Sequence, residues 1–136
     1  MSDNSPVVAG DVAATRIQRI ENGCVALAIL AAVILSGLPW WVLIAAFLLF
    51  DLSALGYLRG SRPGGIGYNA VHNYSAPAIL IIGYLILRAR GIEAEWLVLL
   101  AASWGFHVAV DRALGYGLKM DSFQATHLGR IGRGRD

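Results

Sequence analysis

The chain has 136 residues, room for one domain. A hydrophobic share of 57% against 15% charged residues excludes an ordinary soluble domain, which needs more polar surface. The single cysteine, Cys24, excludes an internal disulfide or a cysteine-rich metal site, and the +2 net charge comes from basic residues that flank apolar runs instead of lining a nucleic-acid face.

Residues 1–16, MSDNSPVVAGDVAATR, read as a polar, irregular leader without the pattern of a cleavable signal. Four apolar runs follow at about 20–38, 40–58, 66–88 and 95–117, each near the roughly 20 residues that cross a bilayer. The expected fold is an all-α, four-helix polytopic membrane bundle over 17–118, built as two antiparallel hairpins. Helix one carries Glu21 at its mouth and Cys24 as a small apolar filler. A short SGLP link leads to helix two, where Pro39 suits a first turn and Asp51 lies past the midpoint. RGSRPGG at 59–65 reads as a Gly/Pro loop, and its arginines match no phosphate-loop pattern. In helix three, Asn69, His72 and Asn73 share one stripe, and Pro77 leaves the Asn73 carbonyl without its helical donor. RARGIEAE separates helix four, where Ser103, His107 and Asp111 form an i, i+4, i+8 stripe with Arg112 next along. A basic tail, 119–136, carries His127.

Nine of the eleven basic residues fall at the ends and in the middle loop (Arg16, Arg19, Arg59, Arg62, Arg112, Lys119, Arg130, Arg133, Arg135); only Arg88 and Arg90 fall on the other face. The positive-inside rule then puts both termini in the cytoplasm, with Trp40, Trp41 and Trp96 as an outer aromatic belt.

Ionisable groups at membrane depth are expensive unless paired, and they face a bundle interior or a wet cavity. Asp51, His72, His107 and Asp111 converge on the cytoplasmic half from three helices and suit a divalent ion such as zinc, manganese or iron. Asn69 and Asn73 would steady those ligands. Glu21 or His127 would serve as a base, and a metal-bound water would attack a lipid-like substrate. Three other readings fit the same residues. They form a purely structural polar core, in an assembly subunit of a larger membrane complex; they relay protons; or His72 and His107 hold a haem, although helix offsets place His107 a turn or more deeper. Ala101, Gly105, Ala109, Ala113 and Gly117 recur at every fourth position, a strip for close helix contact with a second copy or within the bundle. DLSALGYLR at 51–59 rhymes with DRALGYGLK at 111–119, a degenerate parallel repeat or a coincidence.

The linked motifs Asp51-Leu-Ser-x-Leu-Gly-Tyr57, Tyr68-Asn69-x-x-His72, His107-x-x-x-Asp111-Arg112-x-Leu-Gly-Tyr-Gly-Leu-Lys119 and Thr126-His127-Leu-Gly-Arg-Ile131 resemble a family of small bacterial membrane proteins described only as a domain of unknown function. The resemblance covers about residues 17–132. It implies a four-helix integral fold in a bacterial inner membrane and groups these polar residues, without bringing an activity. Where the family pattern often has an acidic residue before Thr-His, this chain has Ala125. A looser likeness to membrane-bound metal-dependent hydrolases is an analogy of parts, with the motifs in another order.

Overall fold

The computed structural model describes residues 9–120 and 122–131. In chain order these form α1 (Ala9–Leu35), α2 (Trp41–Ala45), α3 (Phe47–Asp51), a 3-10 segment (Leu52–Arg59), α4 (Ser61–Val71), α5 (Ser75–Ala89), α6 (Glu95–Leu114), and the hairpin strands β1 (Ala125–Thr126) and β2 (Gly129–Arg130). Four helical stretches, Val12–Leu35, Trp41–Arg59, Ser61–Ala89 and Glu95–Leu114, are long and apolar enough to cross a membrane. Of the most apolar window in each, 56% is buried in the fourth against 6–11% in the others, so α6 is the central post and the rest present apolar faces outward.

The alanine-rich start of α1 is helical from Ala9, inside the stretch expected to be irregular; residues 1–8 of that leader lie outside the described residues. Ala13 and Ala14 favour helix. α1 and α6 run antiparallel in close contact. Gly23 faces Ala113, Gly105 faces Ile29, and the Arg19 Nε donates to the Ala113 carbonyl at 2.9 Å. Of the two readings of the small-residue strip, close contact within the bundle is seen here, against α1. Ala101 and Ala109 are buried, and a Cβ on Gly105 would stand 3.3 Å from Ile29 Cδ1. Around it the core gathers Ala26, Val33, Leu43, Phe106 and Ala109.

Helices two and three depart from the continuous rods expected. Helix two steps at Ala46 and then tightens into the 3-10 segment after Asp51. Helix three breaks at residues 72–74, and α5 restarts at Ser75 with Pro77 in its first turn, where the missing N–H leaves no gap. The expected 59–65 loop shrinks to one residue, Gly60 (φ 122°), because α4 starts at Ser61. Gly64 lies within α4 for a packing reason: a Cβ there would meet Tyr57 Cγ at 2.3 Å and Tyr57 Cα at 2.8 Å. The glycines of RGSRPGG thus allow the 3-10 segment and α4 to cross almost backbone to backbone.

The tail, expected to be a simple basic extension, folds back. β1 pairs with β2, Lys119 bridges Thr126, and Lys119, Thr126 and Leu128 are buried. Gly115 (φ 100°) ends α6 with the Tyr116 N–H on the Asp111 carbonyl at 2.8 Å, turning the chain toward that hairpin.

Candidate metal centre

Each helical irregularity delivers one donor. Asp51 closes α3, just where the helix tightens. His72 is the residue after α4, with φ −90° and ψ 43°, so its ring hangs into the gap of the broken helix. His107 and Asp111 come from α6, one turn apart on its buried face. Irregular backbone at this depth is tolerated where it is enclosed by protein.

The four side chains converge on one point, with one donor atom of each lying within 4.8 Å of all the others. His72 Nε2 stands 3.5 Å from Asp51 Oδ1 and 3.4 Å from Asp111 Oδ2. His107 Nε2 stands 3.6 Å and 3.7 Å from the same two oxygens. The two Nε2 atoms are 2.9 Å apart, so the broken helix cancels the depth offset expected between the histidines. Donors bonded at about 2.0–2.1 Å to a tetrahedral ion stand about 3.3–3.4 Å from one another; the five distances that involve a histidine nitrogen, 2.9–3.7 Å, scatter around that value, while the widest donor separation reaches 4.8 Å. Side-chain exposure is 2% for His72, 0% for His107 and 12% for Asp111 but 44% for Asp51, so the cluster opens on the Asp51 side.

Neighbouring groups orient the donors. His72 Nδ1 lies 3.0 Å from the Tyr68 carbonyl; donating there leaves Nε2 bare, the tautomer a metal requires. The Tyr68 hydroxyl donates to Asp111 Oδ2 at 3.0 Å, and its ring stacks on His72 with centroids 3.6 Å apart. Ser53 Oγ stands 3.5 Å from His72 Nδ1. Phe47 and Phe50 wall His107 at 4.5 and 5.3 Å, and Phe50 stacks on Trp104. Carbonyls exposed by the break are taken up in turn. Trp104 Nε1 donates to Val71 O at 2.6 Å, and Asn73 Nδ2 donates to the Asn69 and Ala70 carbonyls.

Asn69 and Asn73, expected to steady the ligands, act on backbone instead. Asn69 pairs with both the N–H (2.6 Å) and the carbonyl (2.8 Å) of Lys119, and Asn73 Oδ1 accepts from the Ser75 N–H. Arg112 reaches the His72 carbonyl at 3.5 Å through Nη2. Glu21 and His127 line a separate polar chamber with Arg112 and stay outside the four-donor cluster. His127 is held by the tail fold, its Nδ1 accepting from the Leu118 N–H at 2.8 Å. Burial, and then the Arg112 charge, pull His127 below the usual histidine range. Sequence reasoning singled out neither Tyr68 nor Lys119. Lys119 is buried with its ammonium 4.6 Å over Tyr68 and 4.1 Å over Phe123, and burial lowers its pKa while Asp111 opposes the shift. Tyr68 had a visible signal, since it lies one turn before His72 on the same stripe.

Four membrane-length helices around a buried two-histidine, two-aspartate cluster define a polytopic membrane protein with a potential metal centre. Residues 15–131 match the family described as a domain of unknown function, DUF4260, and the chain belongs to that family. No curated protein and no solved structure matches it.

Proposed function

We propose that the protein is an inner-membrane metalloprotein that binds zinc, manganese or iron through Asp51, His72, His107 and Asp111, in the cytoplasmic half of a bundle whose termini are both cytoplasmic. The observation that carries this reading is the convergence of four donors within 4.8 Å, with each histidine Nε2 3.4–3.7 Å from both carboxylates and His72 Nε2 bared by the contact at Nδ1. A bound ion would supply Lewis acidity and, at a coordination position left open by the four side chains, a water acidic enough to ionise near neutral pH. With Asp51 on the exposed side, hydrolysis of a lipid-like substrate at the membrane surface is the chemistry that suits the centre. A haem fits poorly, because Nε2 atoms 2.9 Å apart leave no slot for a porphyrin.

The test is elemental analysis by plasma mass spectrometry on protein purified without a histidine tag, beside His107→Ala. Near-stoichiometric metal in the wild type, lost in the variant, is expected. A folded wild type free of metal after incubation with each of the three ions overturns the proposal. It would favour the second reading, a structural cluster in an assembly subunit, for which the direct His72–His107 contact is the supporting observation.

A further inference from the structure

Two cavities share Tyr74 as a wall, two residues after His72. The first is an apolar groove of about 360 Å³ between α1, α5 and α6, walled by Ile29, Val33, Pro77, Ile81, Val98 and Ala102. The second is a polar chamber of about 300 Å³ lined by Glu21, Asn22, Tyr74, Arg112 and His127 among others. The chamber lies between residues 18–25 of α1 and the end of α6; the groove runs from there along Ile29–Ser36 and Tyr74–Ile81, each about 10 Å of helix. A lipid-like molecule in that leaflet has this same layout, polar end outward and chain toward the centre.

Arg112 gives the chamber its chemistry. Its Nε is buried without a hydrogen-bond partner, and its guanidinium lies 4.8 Å over the Tyr74 ring. Among the described residues no carboxylate stands within ion-pair distance of it. Half-buried, with Nη2 on the His72 carbonyl and the Nε N–H unpaired, the guanidinium suits a planar or phosphoryl anion on its open side. His127 adds a second donor: because Nδ1 accepts from Leu118, the neutral ring carries its proton on Nε2. Glu21 also lines the chamber but is exposed, while Asn22 is occupied, donating to the Gln18 carbonyl and accepting from Tyr74.

We propose that the groove and the chamber form one binding site for a single-chain amphiphile with an anionic head, the carboxylate or phosphate on Arg112 and His127 and the chain along α1 and α5. The site deepens the metal-centre reading by naming a substrate class; it rests on that reading for any chemistry but not for binding. Arg112 links the two, since it holds the His72 carbonyl from the chamber side.

The full chain in phosphatidylcholine nanodiscs would be irradiated with three mid-chain diazirine probes: a hexadecanoate, a hexadecyl phosphate and a hexadecyl phosphocholine. Crosslinks would be mapped by mass spectrometry. The expected result is labelling of Ile29, Val33, Ile81 or Val98 at least tenfold stronger with an anionic probe than with phosphocholine. The stronger of the two anions tells a fatty acid from a phosphate ester. Arg112→Gln should remove that selectivity, and Ala102→Phe, which fills the groove and leaves Arg112 in place, should lower labelling with every probe. Thermal melts confirm that both variants fold; should one fail to fold, the other decides. Equal labelling by all three heads, or labelling that survives in the folded variants, overturns the proposal. Metal content measured in the same samples separates the two ideas. Selective labelling of a metal-free protein sinks only the metal centre, and bound metal without selective labelling sinks only the amphiphile site.

Discussion

Tyr68 joins three contacts in one residue: its carbonyl meets His72 Nδ1, its hydroxyl donates to Asp111, and its ring stacks on the imidazole. Outer partners of this type commonly change metal affinity by about 10–100-fold when removed. Tyr68→Phe deletes only the hydroxyl, so it should weaken binding by about that factor while the melt stays close to wild type, as a competitive chelator titration would read. His127 has a pH signature. Its folded pKa lies below the unfolded value of 6.5, so the unfolded tail takes up protons first. Tail docking is at full strength above about 6.5 and weakens as pH falls below it. The protection of the Leu118 amide against hydrogen exchange, taken relative to the intrinsic rate at each pH, should fall on acidification, and His127→Gln should flatten that response. At this scale the sequence marked the four donors, because charge at membrane depth is conspicuous. Tyr68 and Lys119 stayed hidden, since Tyr and Lys near a helix end look like ordinary interfacial residues.

The elements were legible as hydropathy and illegible as geometry. Four runs of the right length correspond to four spans, but hydropathy is blind to a helix that steps at Ala46 or stops at Val71. Pro77 signalled disturbance near Asn73, and the break falls there. RGSRPGG misled because glycine serves close packing as readily as flexibility. Gly64→Ala should therefore destabilise by about 1–3 kcal/mol, since the clash is with the Tyr57 backbone as well as its ring. Gly83→Ala, where a Cβ meets nothing within 4 Å, should leave the detergent melting temperature unchanged or raise it. A similar loss from both changes would refute the close-crossing account.

Across the whole molecule, antiparallel contact of α1 with α6 puts the start of the first span beside the end of the last, next to the folded tail. Under the proposed topology, which rests on the positive-inside rule, that end faces the cytoplasm. Alkaline phosphatase joined after residue 91 should be active in the periplasm, and the same enzyme joined after residue 131 should be inactive; the reverse pattern would invert the topology. At this level the sequence argues through counts of arginine, which the two fusions test. It missed the tail hairpin, whose short strands have no periodic signal, and left the small strip open between a second copy and the bundle, since spacing cannot tell an inner neighbour from an outer one.

α6 is both the post of the bundle and its last helix to be synthesised. While the ribosome is still making it, Asp51 and His72 are already in the bilayer without half of their partners. The nascent chain must hold those groups by other means, by staying neutral, hugging the interface or remaining beside the insertion machinery. Insertion of α6 is thus the step that assembles the centre, and a protein interrupted before His107 would offer quality-control proteases two unpaired polar groups in lipid.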